Sequence, residues 1–375
     1  MSTSDPDEPV RTAADAREAG VEGLPILARL PNGQRGWTWS KLLRLVVVVV
    51  ILAVATVVLV DKHQEVTGAL HLLRHLRWGW VLGAAAAEAL SLLPFARLQR
   101  WMFRAGGVRL GFWSTVWVTV AGNALGTSLP GGVAWSTAWM FHQYRRRGAD
   151  RSLTVWALAT AGLLSGIVLF VLLVVGLWTA DGRGPLTFLR WPATGVAAGG
   201  FVALLAAAMT VWRHHGDPPS GSRLTAAVRR WRWAATVADE VAELFSRLRP
   251  ALVRPTSWAQ VVVMATANWL LDGACLVGCI VAVHGAVPWP SVLVVYATTQ
   301  IAASMPISPG GLGVVEASLA LLLVAYGMPG AVAIATVALY RLMSFWGLSG
   351  AGWLVWTALS VGEGRGRRQP HPTGS

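Results

Sequence analysis

The sequence predicts an all-α fold: a polytopic integral membrane protein with about six full spans plus two broken, re-entrant hairpins of opposite orientation. Three observations carry this. The chain of 375 residues is 54% hydrophobic and only 13% charged, where a soluble chain carries about a quarter charged. Several stretches of about 16–27 residues carry almost no charge, enough to cross a hydrocarbon core of ~30 Å as helix. The basic residues gather in short runs at the ends of these stretches, as cytoplasmic flanks of spans do. β-barrel spans would instead alternate over short segments.

Residues 1–40 are polar and rich in Pro, Gly and mixed charge, which predicts a flexible cytoplasmic tail. The run Leu42–Val60 lacks a basic start and a small-residue cleavage site, and reads as a retained anchor. A transmembrane domain is expected over 41–361. Its further apolar segments lie at about 79–96, 110–129, 133–143, 152–178, 193–212, 257–285, 290–305, 312–326 and 330–361. Within the basic loop 213–256, residues 221–250 read as an amphipathic helix. Leu224, Val228, Trp231, Val237, Val241 and Leu244 are apolar and Arg229, Arg230 and Arg232 face elsewhere, which suits the inner membrane surface. Residues 362–375 form a basic cytoplasmic tail.

The distribution of arginine constrains topology. Clusters at 97–109 (Arg97, Arg100, Arg104, Arg109) and 145–151 (Arg145, Arg146, Arg147, Arg151) belong on one side. The segment between them must enter and leave there, and it breaks at Pro130-Gly131-Gly132. The segment 290–326 breaks at Pro309-Gly310-Gly311 and would open to the other side. Ordinary spans with Pro/Gly kinks are the plainer alternative. The two breaks align as "SLPGGVAWSTAW" and "SPGGLGVVEASL", with Thr137 opposite Glu316. Interrupted segments in corresponding halves point to a transporter's central site. Non-helical backbone at this depth must be buried in protein or line a wet cavity.

A net charge of +13 would suit nucleic acid, but its placement at span ends excludes that partner. Cys275 and Cys279 are the two cysteines, too few for a disulfide framework or a zinc site. No P-loop, His/Cys metal cluster or Gly-x-Ser-x-Gly is present, so no cofactor and no catalysis are expected. The run 142–151 reads as the cytoplasmic end of a helix.

Ionisable side chains at membrane depth usually face an interior or a cavity. Glu88, Asp272, Glu316 and Arg341 stand out. Glu316 follows the glycines at a helix start, where it either caps the helix or serves a ligand. Arg341 keeps its charge and needs a counter-charge, either Glu316 or Asp272, or a phosphate that matches its planar fork. Asn268, Asp272, Cys275 and Cys279 share one helix face, as a packing stripe or around a working carboxylate. Glu88 has no partner near in sequence and reads as structural or cavity-lining. Asn123 and Gln300 precede the two breaks and suit freed backbone groups. Gly310, Gly311 and Gly313 let backbone turn and approach a ligand. The helix start near Gly313 suits a phosphate, and Glu316 suits an ammonium.

The stretch "SMPISPGGLGVVEASLALLLVAYG…ALYRLMSFW" resembles the lysylphosphatidylglycerol synthase transmembrane (flippase-type) family. The matching positions are Pro309, Gly310, Gly313, Glu316 and Arg341, with "NALGTSLPGG" supplying Asn123 and Pro130. The first-half acids of the family pattern are replaced here around Trp135–Thr137 and Ala161–Gly162. The resemblance covers roughly 40–361. It implies flipping of a phospholipid or aminoacylated phospholipid across the cytoplasmic membrane; the arginine distribution puts both termini on the cytoplasmic side. The chain ends soon after its last span, so no aminoacyl-transferase domain and no lipid synthesis are expected. The expected substrate-binding residues are Pro309, Gly310, Gly311, Gly313, Glu316, Arg341, Asp272, Asn268, Asn123 and Pro130. The alternatives are a carrier of a small solute or polyprenyl-phosphate, or a non-transporting partner of an envelope lipid-modifying enzyme. A homo-oligomer stays open.

Overall fold

A computed structural model describes residues 63–129, 131–180, 184–213, 255–304 and 308–366; of 63, 203–213, 255–257 and 362–366 it describes the helical backbone alone. The expected N-terminal tail, the first span at 42–60, Pro130, the amphipathic helix at 221–250 and residues 367–375 of the expected C-terminal tail lie outside these residues; 362–366, expected in that tail, continue the last helix instead.

The described residues form helices and no strand. They are α1 (His63–Arg74), α2 (Trp78–Ala105), α3 (Phe112–Ser128), α4 (Gly132–Arg146), α5 (Arg151–Thr179), α6 (Arg190–Arg213), α7 (Pro255–Ala282), α8 (Val292–Ser304), α9 (Val314–Ala325), α10 (Gly330–Arg341) and α11 (Leu348–Gly366). A 3-10 turn, Pro309–Gly311, precedes α9, and a π-helical stretch, Leu342–Gly347, joins α10 to α11. Four of these stretches are long and apolar enough to cross a membrane: α2, α5, residues 258–282 of α7, and 330–361. The chain is an all-α membrane protein. α2 runs past its apolar part, so Arg97, Arg100 and Arg104 sit within the helix rather than in a loop.

The outside of the bundle is apolar. Leu82, Leu163 and Leu354 are exposed, which water would penalise and lipid does not. Exposed tryptophans mark helix ends: Trp78 and Trp80 open α2, Trp113 and Trp117 open α3, Trp178 closes α5 and Trp191 opens α6. Their half-polar rings suit the interface.

Two short helix pairs fold back on themselves. In α3–α4, Ser136 donates to the Gly122 carbonyl at 2.6 Å. At the open end, Arg147 Nε donates to Ser114 Oγ at 2.9 Å, so the start of α3 adjoins the end of α4. Tyr144 and Thr119 both donate to the buried Gln99 Oε1, at 2.6 and 3.0 Å, fixing this hairpin to α2. In α8–α9, residues before α8 (His284–Pro288) and after α9 (Tyr326–Pro329) line one cleft. Gly184, just beyond α5, packs on the Tyr326 ring. α5 therefore runs from the open end of one hairpin to the open end of the other. Its 29 residues span ~43 Å at 1.5 Å each. The hairpins open at opposite ends, as the arginine pattern predicts.

Their tips meet in between. A Cβ on Gly310 would lie 2.5 Å from the Thr127 carbonyl oxygen and 2.2 Å from the Phe345 ring, so only glycine fits. Its φ of +58° adds the conformational reason. Gly131, aligned with Gly310 in the sequence repeat, has φ +66° and ψ 27° against +58° and 20°. The short repeat is therefore a repeat of backbone shape. Thr127 also bonds Ser349 at 2.9 Å, and Trp353 donates to Ser128 at 3.1 Å. These bonds tie the first tip to α11.

Candidate functional site

Glu316 and Arg341 come together at the second tip. Arg341 Nε donates to Glu316 Oε1 at 2.6 Å, and Arg341 Nη2 donates to the Gly310 carbonyl at 3.2 Å. The guanidinium lies 4.4 Å above the Phe345 ring, a cation–π contact. Phe345 follows Arg341 by four positions, so the helix itself brings it beneath. The other Glu316 oxygen accepts the Gly313 N–H at 2.6 Å. Glu316 thus caps its own helix and neutralises Arg341 at once. The Arg341 side chain is 10% exposed and that of Glu316 is 34% exposed. The carboxylate is the accessible half and the guanidinium lies behind it.

Of the two counter-charges expected for Arg341, the structure selects Glu316. The helix start at Gly313 is also less free than its sequence implies, because Glu316 already takes the Gly313 N–H. Gly311 is buried in the turn, while Gly313 is exposed. Pro309 opens the turn at its first position, where a missing N–H costs nothing.

Asp272 belongs to a second cluster. It accepts Tyr296 Oη at 2.8 Å and Gln300 Nε2 at 2.5 Å on one oxygen, and Tyr340 Oη at 2.7 Å on the other. Gln300 therefore serves Asp272, not the backbone of the break as its position in sequence implied. Ala84 packs against Gly278 where α2 runs along α7, and Glu88, one turn further along α2, faces Asp272 and Cys275. Cys275 and Cys279 are buried and their thiols lie 4.0 and 3.9 Å from Met343 Sδ. Asn268, one turn before Asp272, makes no side-chain hydrogen bond with the described residues. Asn123 contributes its carbonyl, which accepts Thr127 Oγ1 at 2.9 Å. Neither joins the Glu316–Arg341 pair.

Sequence reading missed Tyr296, Tyr340 and Phe345. Tyr340 had a signal: it precedes Arg341 in a segment otherwise apolar. Among the described residues no group of His, Cys, Asp and Glu is arranged to hold a metal ion.

A family model described as Lysylphosphatidylglycerol synthase TM region matches residues 41–352. No curated protein matches the chain.

Proposed function

The chain belongs to the lysylphosphatidylglycerol synthase transmembrane-region family, and from that premise we propose that it flips a phospholipid or aminoacylated phospholipid across the cytoplasmic membrane, with both termini cytoplasmic. One observation carries the reading: a buried Arg341 sits behind a more exposed Glu316, at the point where two hairpin tips meet. A head group with a phosphate and an ammonium can divide this pair. The phosphate takes the guanidinium fork, for which it is a bidentate match. The ammonium takes the carboxylate that is released. One ion pair becomes two, so no charge is left unpaired at depth. The acyl chains stay against the exposed leucines of the bundle surface.

In this reading Gly310 has a part too. Its carbonyl already accepts Arg341 Nη2, which holds the guanidinium plane while Glu316 leaves. The protein acts as a carrier, and no bond of the lipid is made or broken. Hairpins open at opposite ends give each membrane face one approach to the same pair, which suits alternating access.

The test is lipid translocation in proteoliposomes, wild type against Glu316→Gln, with labelled phosphatidylglycerol and an aminoacylated analogue. Movement lost in the variant supports the reading. No lipid movement by folded wild-type protein refutes it and directs attention to solute carriage or to an enzyme partner.

A further inference from the structure

Glu88 and Asp272 are not needed to hold a head group, yet they are placed together inside the bundle. Glu88 is 6% exposed and, among the described residues, its Oε2 has no hydrogen-bond partner. It lies one turn beyond the Ala84–Gly278 contact of α2 with α7, which turns it toward Asp272 and Cys275. Among the described residues neither acid is paired with Arg, Lys or His. Arg341, the cation of this region, is committed to Glu316.

The groups facing the pair come from every neighbouring element. α7 supplies Asp272, Cys275 and Cys279, α8 supplies Tyr296 and neutral Gln300, and α10 supplies Tyr340. α3 carries no titratable residue and α5 only Arg151 at its start. On α1, Glu65 lies against Gly330 at the far end of α10.

Two facing carboxyls with no cation between them among the described residues cannot both be charged in such surroundings at acceptable cost. Asp272 accepts hydrogen bonds on both oxygens, which is the pattern of an anion. Glu88 has an oxygen stranded without a donor, which is tolerable only in the neutral acid, whose O–H faces Asp272. Tyr340 holds Asp272, and the next residue, Arg341, holds Glu316. The thiols beside Asp272 touch Met343 in the π-helical stretch that follows. Such stretches are local irregularities that recur at functional positions.

We infer that Glu88 and Asp272 form a proton-binding carboxyl pair, and that loss of its proton is transmitted through Tyr340 to the Glu316–Arg341 pair. The proton enters from water and returns to water, and no other reactant is required. Without it, two anions face each other across α2 and α7. Their repulsion parts the helices and shifts Tyr340, which moves Arg341 one residue along. The proton-binding step stands on the burial and placement of the two acids, and its role as a transport coupling rests on the flippase reading above.

The experiment separates the two. Infrared spectroscopy of the full chain in liposomes, titrated from mildly acid to alkaline buffer, should show a protonated carboxyl C=O band. That band should be lost in Glu88→Gln and lost or shifted in Asp272→Asn. A spin label at Leu312→Cys, beside the ion pair, should change mobility over the same titration in the parent and stay constant with Glu88→Gln. Absence of the band, or a band and a label response unchanged in both variants, overturns the proposal. Lipid movement in the same liposomes reports on the flippase reading by itself. If no lipid moves, that reading fails while the band and the label still decide the proton pair.

Discussion

Neutralising one member of the Glu316–Arg341 pair should cost stability, and neutralising the second should cost little more. Unit charges about 4 Å apart at an effective dielectric near 20 attract by ~4 kcal/mol. Glu316 is one-third exposed, and screening at that edge reduces the figure to about 2 kcal/mol. Glu316→Gln keeps an oxygen for the Gly313 N–H, so it removes charge and spares the cap. It strands Arg341 with only the Gly310 carbonyl and the Phe345 ring. We expect Glu316→Gln and Arg341→Gln each to lower the unfolding free energy by about 2 kcal/mol. The double variant should lose a similar amount, not the sum. Glu316→Ala should lose ~1 kcal/mol more than Glu316→Gln, because the cap goes too. Reversible denaturant unfolding in bicelles, arranged as a double-mutant cycle, measures this. Additivity within about 0.5 kcal/mol would show that the two charges do not sense each other, and the site as described would fall.

Other consequences are open to measurement. Gly310→Ala should abolish the folded-protein peak on size-exclusion chromatography, since its Cβ meets the Thr127 carbonyl and the Phe345 ring. Adding Phe345→Ala should recover only part of it, the carbonyl clash remaining. Tyr340→Phe should cost roughly 0.6–1.7 kcal/mol, the range for interhelical hydrogen bonds in membranes; a neutral result in bicelle unfolding would mean that Asp272 is satisfied by Tyr296 and Gln300 alone. Cys275 and Cys279 are buried and should resist aqueous maleimide in folded protein but react after denaturation. Cysteines at Gly148 and at Gly327, introduced one at a time in a Cys275→Ser, Cys279→Ser background, should be labelled from opposite sides of sealed vesicles. Labelling from one side would refute the opposed hairpins.

The helices and the two breaks were legible because each is written locally. Apolar runs set the spans, and Pro-Gly-Gly sets the turns at Gly131 and Gly310. The arginine clusters told which helix ends adjoin, since charge placement obeys the membrane and not the partner helix. What was not legible depends on contacts across the bundle. Gln300 stands near the end of α8, just before the break, and nothing in its neighbourhood shows that Asp272, 28 positions away, claims its amide. Glu88 met Asp272 only once α2 packed along α7. The choice of Glu316 over Asp272 for Arg341 was likewise a matter of three-dimensional register. Neighbouring residues on α10 point about 100° apart, so Tyr340 and Arg341 serve different acids.

The meeting of Gly310 with Thr127 also bears on how the chain is made. The two residues are 183 positions apart. At a synthesis rate of 5–20 residues per second, ~10–40 s pass between their emergence. Throughout that interval Thr127 and Ser128 at the end of α3 lack the partners that the later chain brings, and bare backbone polar groups are not tolerated in lipid. The first hairpin therefore relies on other cover, from α2 or the insertion machinery, until the second arrives. The order of synthesis makes the arrival of the second tip and α11 the step that closes the first.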